Sequence, residues 1–129
     1  LGSDIDGEAP GDGSGHSGSM NAAGDRVAIG APGNDDNGSF SGHVRIYSYS
    51  GNSWVQFGAD IDGEAGSVSG EGLSLKMPND GNTIAIGAYW ANDNYSGHVR
   101  VFDWNGSAWA QRGADIDGEA ADDESGWSV

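Results

Sequence analysis

Three observations predict an all-β chain made of four-stranded antiparallel meanders in tandem. The first is repetition. Asp-Ile-Asp-Gly-Glu-Ala begins at Asp4, Asp60 and Asp115, 56 and then 55 residues apart. Ser-Gly-His-Val-Arg at Ser41 returns at Ser96, Ala-Ile-Gly-Ala at Ala28 returns at Ala85, and Trp54 returns as Trp109. A fixed period of a few tens of residues marks one supersecondary unit stacked on copies of itself. The second is the texture of each period, where short β-branched and aromatic runs alternate with Gly, Asn, Asp and Ser turns. The third is that no segment carries a sustained helical apolar period or helix caps.

Four strands are expected in each period. Strand 1 follows Ser-Gly, as in Gly70–Leu75, and ends at Ala-Ala-Gly-Asp or Asn-Asp-Gly-Asn, the latter a strong hairpin signal. Strand 2 is Arg26–Ala31, repeated as Thr83–Ala88. Strand 3 is His43–Tyr49, repeated as His98–Trp104, and its apolar and polar residues alternate as a half-buried strand requires. Strand 4 is Trp54–Phe57, reached through Ser50-Gly51-Asn52 and repeated as Trp109–Arg112. The chain then divides into repeat 1 (about 1–56), repeat 2 (about 57–111) and the start of repeat 3 (about 112–129). Such meanders in tandem are the blades of a β-propeller, with bulky residues packed between neighbours. Two blades, roughly Ser14–Phe57 and Ser69–Arg112, plus the start of a third are therefore expected. Closed propellers need about four to eight blades. The array is thus expected to be completed by further blades or by identical copies, with Ser125–Val129 pairing onto a neighbour.

Composition excludes several classes of function. Twenty acidic residues against 5 basic ones, a net charge of −15 and a pI near 4.1 repel nucleic acid and anionic lipid headgroups. There is no cysteine for a disulfide or a thiolate metal site. The longest apolar runs, near Val27–Ile29 and Ile84–Ile86, are too short to cross a bilayer, which predicts no membrane insertion. No nucleophile elbow, phosphate-binding glycine loop or zinc-ligand spacing occurs. Carboxylate pairs recur in every repeat, whereas a catalytic pair occurs once, so an enzyme is not expected.

The Asp-Ile-Asp-Gly-Glu strings admit two readings. Acids at alternate positions beside a turn-forming Gly suit a hard cation such as calcium. The candidate ligands are Asp4, Asp6, Glu8, Asp12, Asp60, Asp62, Glu64, Asp115, Asp117, Glu119 and Asp123. Alternatively the carboxylates accept backbone N–H bonds in a structural link between blades. The polar loops Asn34–Gly38 and Asn92–Asn94 admit the same two readings. His43 and His98 recur at one repeat position, a blade apart, and read as strand residues holding a hydrogen bond rather than a shared metal. Arg45 and Arg100 are expected to pair with Asp carboxylates. Trp54 and Trp109 are expected between blades, and Trp90 and Trp127, which do not repeat, at contact surfaces. Asn37, Asn94 and Asn105 head Asn-x-Ser sequons in expected loops, which suits a secreted glycoprotein.

Ser-Gly-x-Ser, a hairpin, Val27-Ala28-Ile29-Gly30-Ala31-Pro32, a polar loop and then Gly42-His43-Val44-Arg45-Ile46-Tyr47 resemble the FG-GAP repeat of integrin alpha-chain propellers and their microbial relatives. The resemblance spans essentially the whole chain. The family's Phe-Gly position falls on Ser14-Gly15, Ser69-Gly70 and Ser125-Gly126, and Gly-Ala-Pro becomes Gly87-Ala88-Tyr89 in the second repeat. The family's calcium loop falls on Ala22-Ala23-Gly24-Asp25 and Asn79-Asp80-Gly81-Asn82, which lack its run of alternating acids. The resemblance implies a cell-surface or extracellular propeller module for adhesion or assembly, contacting protein. The alternative is a calcium-dependent glycan-binding module.

Overall fold

The computed structural model describes residues 1–64, 72, 74–92 and 94–129. Among the described residues the fold is all-β, with ten strands in two antiparallel five-stranded sheets. None of them forms a helix long and apolar enough to cross a membrane. The first sheet holds β1 (Ser17–Met20), β2 (Arg26–Ala31), β3 (His43–Ser50), β4 (Ser53–Gln56) and β5 (Ile61–Asp62). The second repeats it as β6 (Ser74–Lys76), β7 (Thr83–Ala88), β8 (His98–Trp104), β9 (Trp109–Gln111) and β10 (Ile116–Asp117). β2, β7 and β8 coincide with the expected strands, β3 runs one residue longer, and β4 is displaced by one residue at each end. The strands expected from Ser14 and Gly70 begin instead at Ser17 and Ser74, and Ser69, Gly70 and Ser67-Val68 lie outside the described residues.

The fifth strand of each sheet corrects the four-stranded expectation. β3 is eight residues long and β4 covers only its C-terminal half, from Ser50↔Ser53 to Tyr47↔Gln56. A bare remainder would leave strand-edge amides unpaired, so the chain returns to it: Ile61 pairs with Val44 and Asp62 with His43. From Gln56 to Ile61 the edge advances five residues while its partner goes from Tyr47 to Val44, so the intervening Gly58-Ala59-Asp60 forms a bulge. Gly58, at φ +84, supplies the left-handed conformation this bulge needs. The second sheet repeats the bulge between Gln111↔Phe102 and Ile116↔Val99. The Ile-Asp pair of the second and third Asp-Ile-Asp-Gly-Glu strings is thus sheet edge, whereas the first string lies outside the strands.

The core lies between the two sheets. Ala28, Val44 and Ile46 face it from the first, and Leu75, Met77, Ile84, Ile86 and Phe102 from the second, with Ile61 closing one side. Alternation puts His43, Arg45 and Tyr47 on the opposite face of β3, against residues 1–12. The same ties recur from one repeat to the next. Ser17 Oγ donates to the Gly72 carbonyl at 2.5 Å and Ser74 Oγ to the Gly126 carbonyl at 2.7 Å. Trp54 Nε1 donates to the Leu1 carbonyl at 3.0 Å and Trp109 Nε1 to the Phe57 carbonyl at 2.9 Å, while Trp109 also packs on Phe57. Trp109 therefore ties the second sheet to Phe57 at the end of the first, whereas Trp54 ties the first sheet to the opening residue of its own repeat. Gly15, Gly72 and Gly126 share φ values of +88, +87 and +90, so Gly72 is the glycine equivalent to Gly15 and Gly126, two places beyond Gly70.

Candidate metal centre

β3 starts at His43, immediately after Gly42, and the His43 backbone pairs with Ala31 on one side and Asp62 on the other. A side chain flanked by strands on both sides has little access to water, and His43 is only 1% exposed. Its Nδ1 lies 3.8 Å from Glu8 Oε2 and 3.7 Å from Asp60 Oδ2. Both distances exceed a hydrogen bond, and this buried nitrogen has no hydrogen-bond partner. The hydrogen bond expected from the sequence is therefore not made at Nδ1, because the segment before β1 and the bulge hold the Glu8 and Asp60 carboxylates just out of its reach.

Each carboxylate is oriented by a donor behind it. Arg45 Nη1 sits 3.3 Å from Glu8 Oε1, and Gln56 Nε2 donates to Asp60 Oδ1 at 2.5 Å. In both cases one oxygen is held and the other faces the imidazole. Asp36 and Asp62 extend the cluster: ligand atoms of Glu8, Asp36 and His43 lie within 4.8 Å of one another, as do those of His43, Asp60 and Asp62.

The second repeat rebuilds the arrangement from Glu64, His98 and Asp115, whose ligand atoms also lie within 4.8 Å of one another. His98 Nδ1 is 3.7 Å from Asp115 Oδ2, and Gln111 Nε2 donates to Asp115 Oδ1 at 2.6 Å. Arg45 Nη2 donates to the Asp6 carbonyl at 2.8 Å and Arg100 Nη2 to the Asp62 carbonyl at 2.7 Å. Arg45 thus meets Asp6 through its carbonyl and takes a carboxylate from Glu8, and Arg100 likewise reaches the carbonyl of Asp62.

Crowded carboxylates resist ionisation. Partial burial, then the charge of Asp60, raises the Asp62 pKa above its ordinary 3.8. Partial burial, then the charge and hydrogen bond of Asp115, raises Glu64 above 4.5. A carboxyl whose folded pKa is raised contributes stability that is fully present below its unfolded value and is lost as pH rises through the folded value. With metal removed, the Tm is expected to fall as pH rises from about 4 towards neutrality. Asp62→Asn should flatten part of that slope, by a modest amount because the side chain meets solvent. Melting curves across that range, with an unchanged slope in the variant, would remove Asp62 from this account.

Of the eleven candidate ligands, the structure gathers Glu8, Asp60 and Asp62 around His43, and Glu64 and Asp115 around His98. Asp4, Asp6, Asp12, Asp117, Glu119 and Asp123 join no such cluster among the described residues. Asp12 is buried and accepts from Asn34 Nδ2 at 3.1 Å, and Asp123 Oδ2 accepts from the Ala120 amide at 2.8 Å, so both serve turns. In the β1–β2 hairpin Asp25 Oδ1 accepts from Asn21 Nδ2. In the Asn92–Asn94 loop Asp93 lies outside the described residues, and Asn92 donates to Ser96 Oγ at 2.8 Å. The sequence reading set His43 and His98 aside as strand residues, whereas Asp36 belongs to the Asn34–Gly38 loop that it offered as a metal site. The available signal was that each histidine recurs with the period of the acidic strings. The sequon asparagines lie outside the strands and exposed, Asn37 donating to the Gly63 carbonyl and Asn94 and Asn105 accepting turn amides. Trp90 and Trp127 are exposed and flank Tyr89, with ring centroids 5.3 and 4.4 Å from it. No family model and no curated protein matches this chain.

Proposed function

We propose that the chain is a section of a propeller-type repeat array that serves as an extracellular structural or adhesive module. It is extended by identical copies or by further blades of the same kind. One observation carries this reading: Ile61 is 5% exposed beneath the second sheet, whereas Ile116, its counterpart one repeat later, is 59% exposed. Val99 and Val101 are likewise only half-buried where Val44 and Ile46 are fully buried. At the opposite face Val27 and Ile29 are half-buried where Ile84 and Ile86 are inaccessible. The two outer faces thus repeat the two halves of the internal junction, and head-to-tail stacking would bury both. The exposed sequon loops support an extracellular setting. The repetition of every carboxylate cluster favours a structural role over catalysis.

The test is sedimentation of the 129-residue chain at micromolar concentrations. Concentration-dependent assembly is expected, weakened by Ile116→Lys. A compact, cooperatively folded monomer across that range would rule the proposal out. A second reading, a calcium-dependent glycan-binding module, is favoured by Phe40 and Tyr95. These aromatics are exposed and held at φ 52 and 56, and Phe40 shares its loop with Asp36. A left-handed conformation at bulky exposed residues is costly and tends to persist at binding sites. A glycan array read with and without chelator separates the two, since only this second reading requires chelator-sensitive spots.

A further inference from the structure

We propose that Glu8, His43 and Asp60 bind a zinc-class divalent transition metal, with Asp36 or Asp62 completing its coordination, and that Glu64, His98 and Asp115 repeat the site. The inference is independent of assembly, and it concerns the class of metal as much as its place. Calcium takes six to eight oxygen ligands and shows no preference for imidazole. Here a buried imidazole nitrogen stands at the centre of the cluster, facing two carboxylate oxygens and lacking a hydrogen bond. Imidazole with carboxylates suits zinc, cobalt, nickel or iron.

The geometry is close to what such an ion requires. Tetrahedral zinc with bonds of about 2.0–2.2 Å places its ligand atoms roughly 3.3–3.6 Å apart. The separations from His43 Nδ1 are 3.7 Å to Asp60 and 3.8 Å to Glu8. Rotation of these two partly exposed carboxylates would close the difference and bring Glu8 and Asp60 together, as Glu64 and Asp115 already stand within 4.8 Å of each other in the second cluster. The supporting contacts resemble those around established metal ligands, where a donor fixes one carboxylate oxygen and aims the other. Arg45 does this for Glu8 and Gln56 for Asp60, and Gln111 does it again for Asp115. Three separate segments meet there: the residues before β1, the first residue of β3 and the bulge between β4 and β5. A bound ion would therefore join two successive Asp-Ile-Asp-Gly-Glu strings through one histidine.

The chain stripped with chelator and titrated with cobalt(II) tests this. A visible absorption band of the intensity seen for four- or five-coordinate cobalt is expected. It should saturate at two equivalents, one for each cluster, and be displaced by zinc but not by calcium. His43→Gln should remove one equivalent, and His43→Gln with His98→Gln both. Should those variants fail to fold by circular dichroism, Glu8→Gln and Asp60→Asn change solvent-accessible groups and should remove the first equivalent in the same way. Gln56→Leu, which touches only the carboxylate behind the ligand, should weaken zinc at that site roughly tenfold or more. Failure of cobalt to give such a band, or a band that survives the double histidine variant, would overturn the proposal. So would stabilisation by calcium with none by zinc. A monomeric chain that still binds cobalt would remove the assembly reading and leave this one standing.

Discussion

Replacing Gly30 with alanine is expected to destabilise the chain by roughly 3 kcal/mol, the upper end of what overpacking costs. A Cβ at Gly30 would collide with the Gly72 carbonyl oxygen and with Ser17 Oγ. The first of these belongs to the backbone and cannot rotate away, so the second repeat has to withdraw from β2. That movement also breaks the Ser17–Gly72 hydrogen bond. Thermal unfolding should register a fall in Tm of roughly 10 °C. Gly87→Ala collides with the Gly126 carbonyl in the same way and should have a comparable effect. Gly18→Ala is the control: its Cβ would be 3.6 Å from the Ala28 carbonyl, at a φ outside the left-handed region, and the change should be neutral or mildly stabilising. Equal melting temperatures for Gly30→Ala and Gly18→Ala would show that the close approach of the repeats does not matter.

Ile86→Ala is expected to cost about 3–4 kcal/mol, because an inaccessible side chain leaves a cavity as well as losing its transfer free energy. The larger point is where the loss appears. Ile86 belongs to the second sheet, yet it lies in a cluster with Ala28, Val44 and Ile46 of the first. Protection from hydrogen exchange should therefore fall in β2 and β3 as well as in β7 and β8. Loss confined to the second sheet would show that the repeats fold independently. Val55→Ala, at an exposed position, should change stability by no more than about 0.5 kcal/mol.

Much of the fold was legible because the repeat prints each element twice. Arg26–Ala31 and Thr83–Ala88 carry the same alternation, and both became strands with the expected bounds. The first strands were placed too early because Ser-Gly occurs at several offsets, and only the φ of Gly72 shows which glycine is equivalent to Gly15. The fifth strands were illegible for a different reason. Ile61-Asp62 is short and bounded by glycine, so its local pattern is that of a turn. What makes it a strand is the uncovered length of β3, a property of the partner. The acids were legible as candidates, but the selection among them was not, since Asp4 and Asp60 stand in identical strings and only Asp60 reaches an imidazole.

By itself the sequence determined the period, the all-β character, the strongly acidic charge, and the positions of the middle strands. These follow from residue order and composition, which act locally or through net charge. Tertiary structure alone decided that Glu8 and Asp60 both approach His43, that Gly30 and Gly72 touch, and that Ile61 is buried while Ile116 is not. The physical reason is that proximity between residues far apart in sequence depends on strand register and on what lies on the far side of a sheet. Two identical strings acquire different surroundings when one is covered by the next repeat and the other is not.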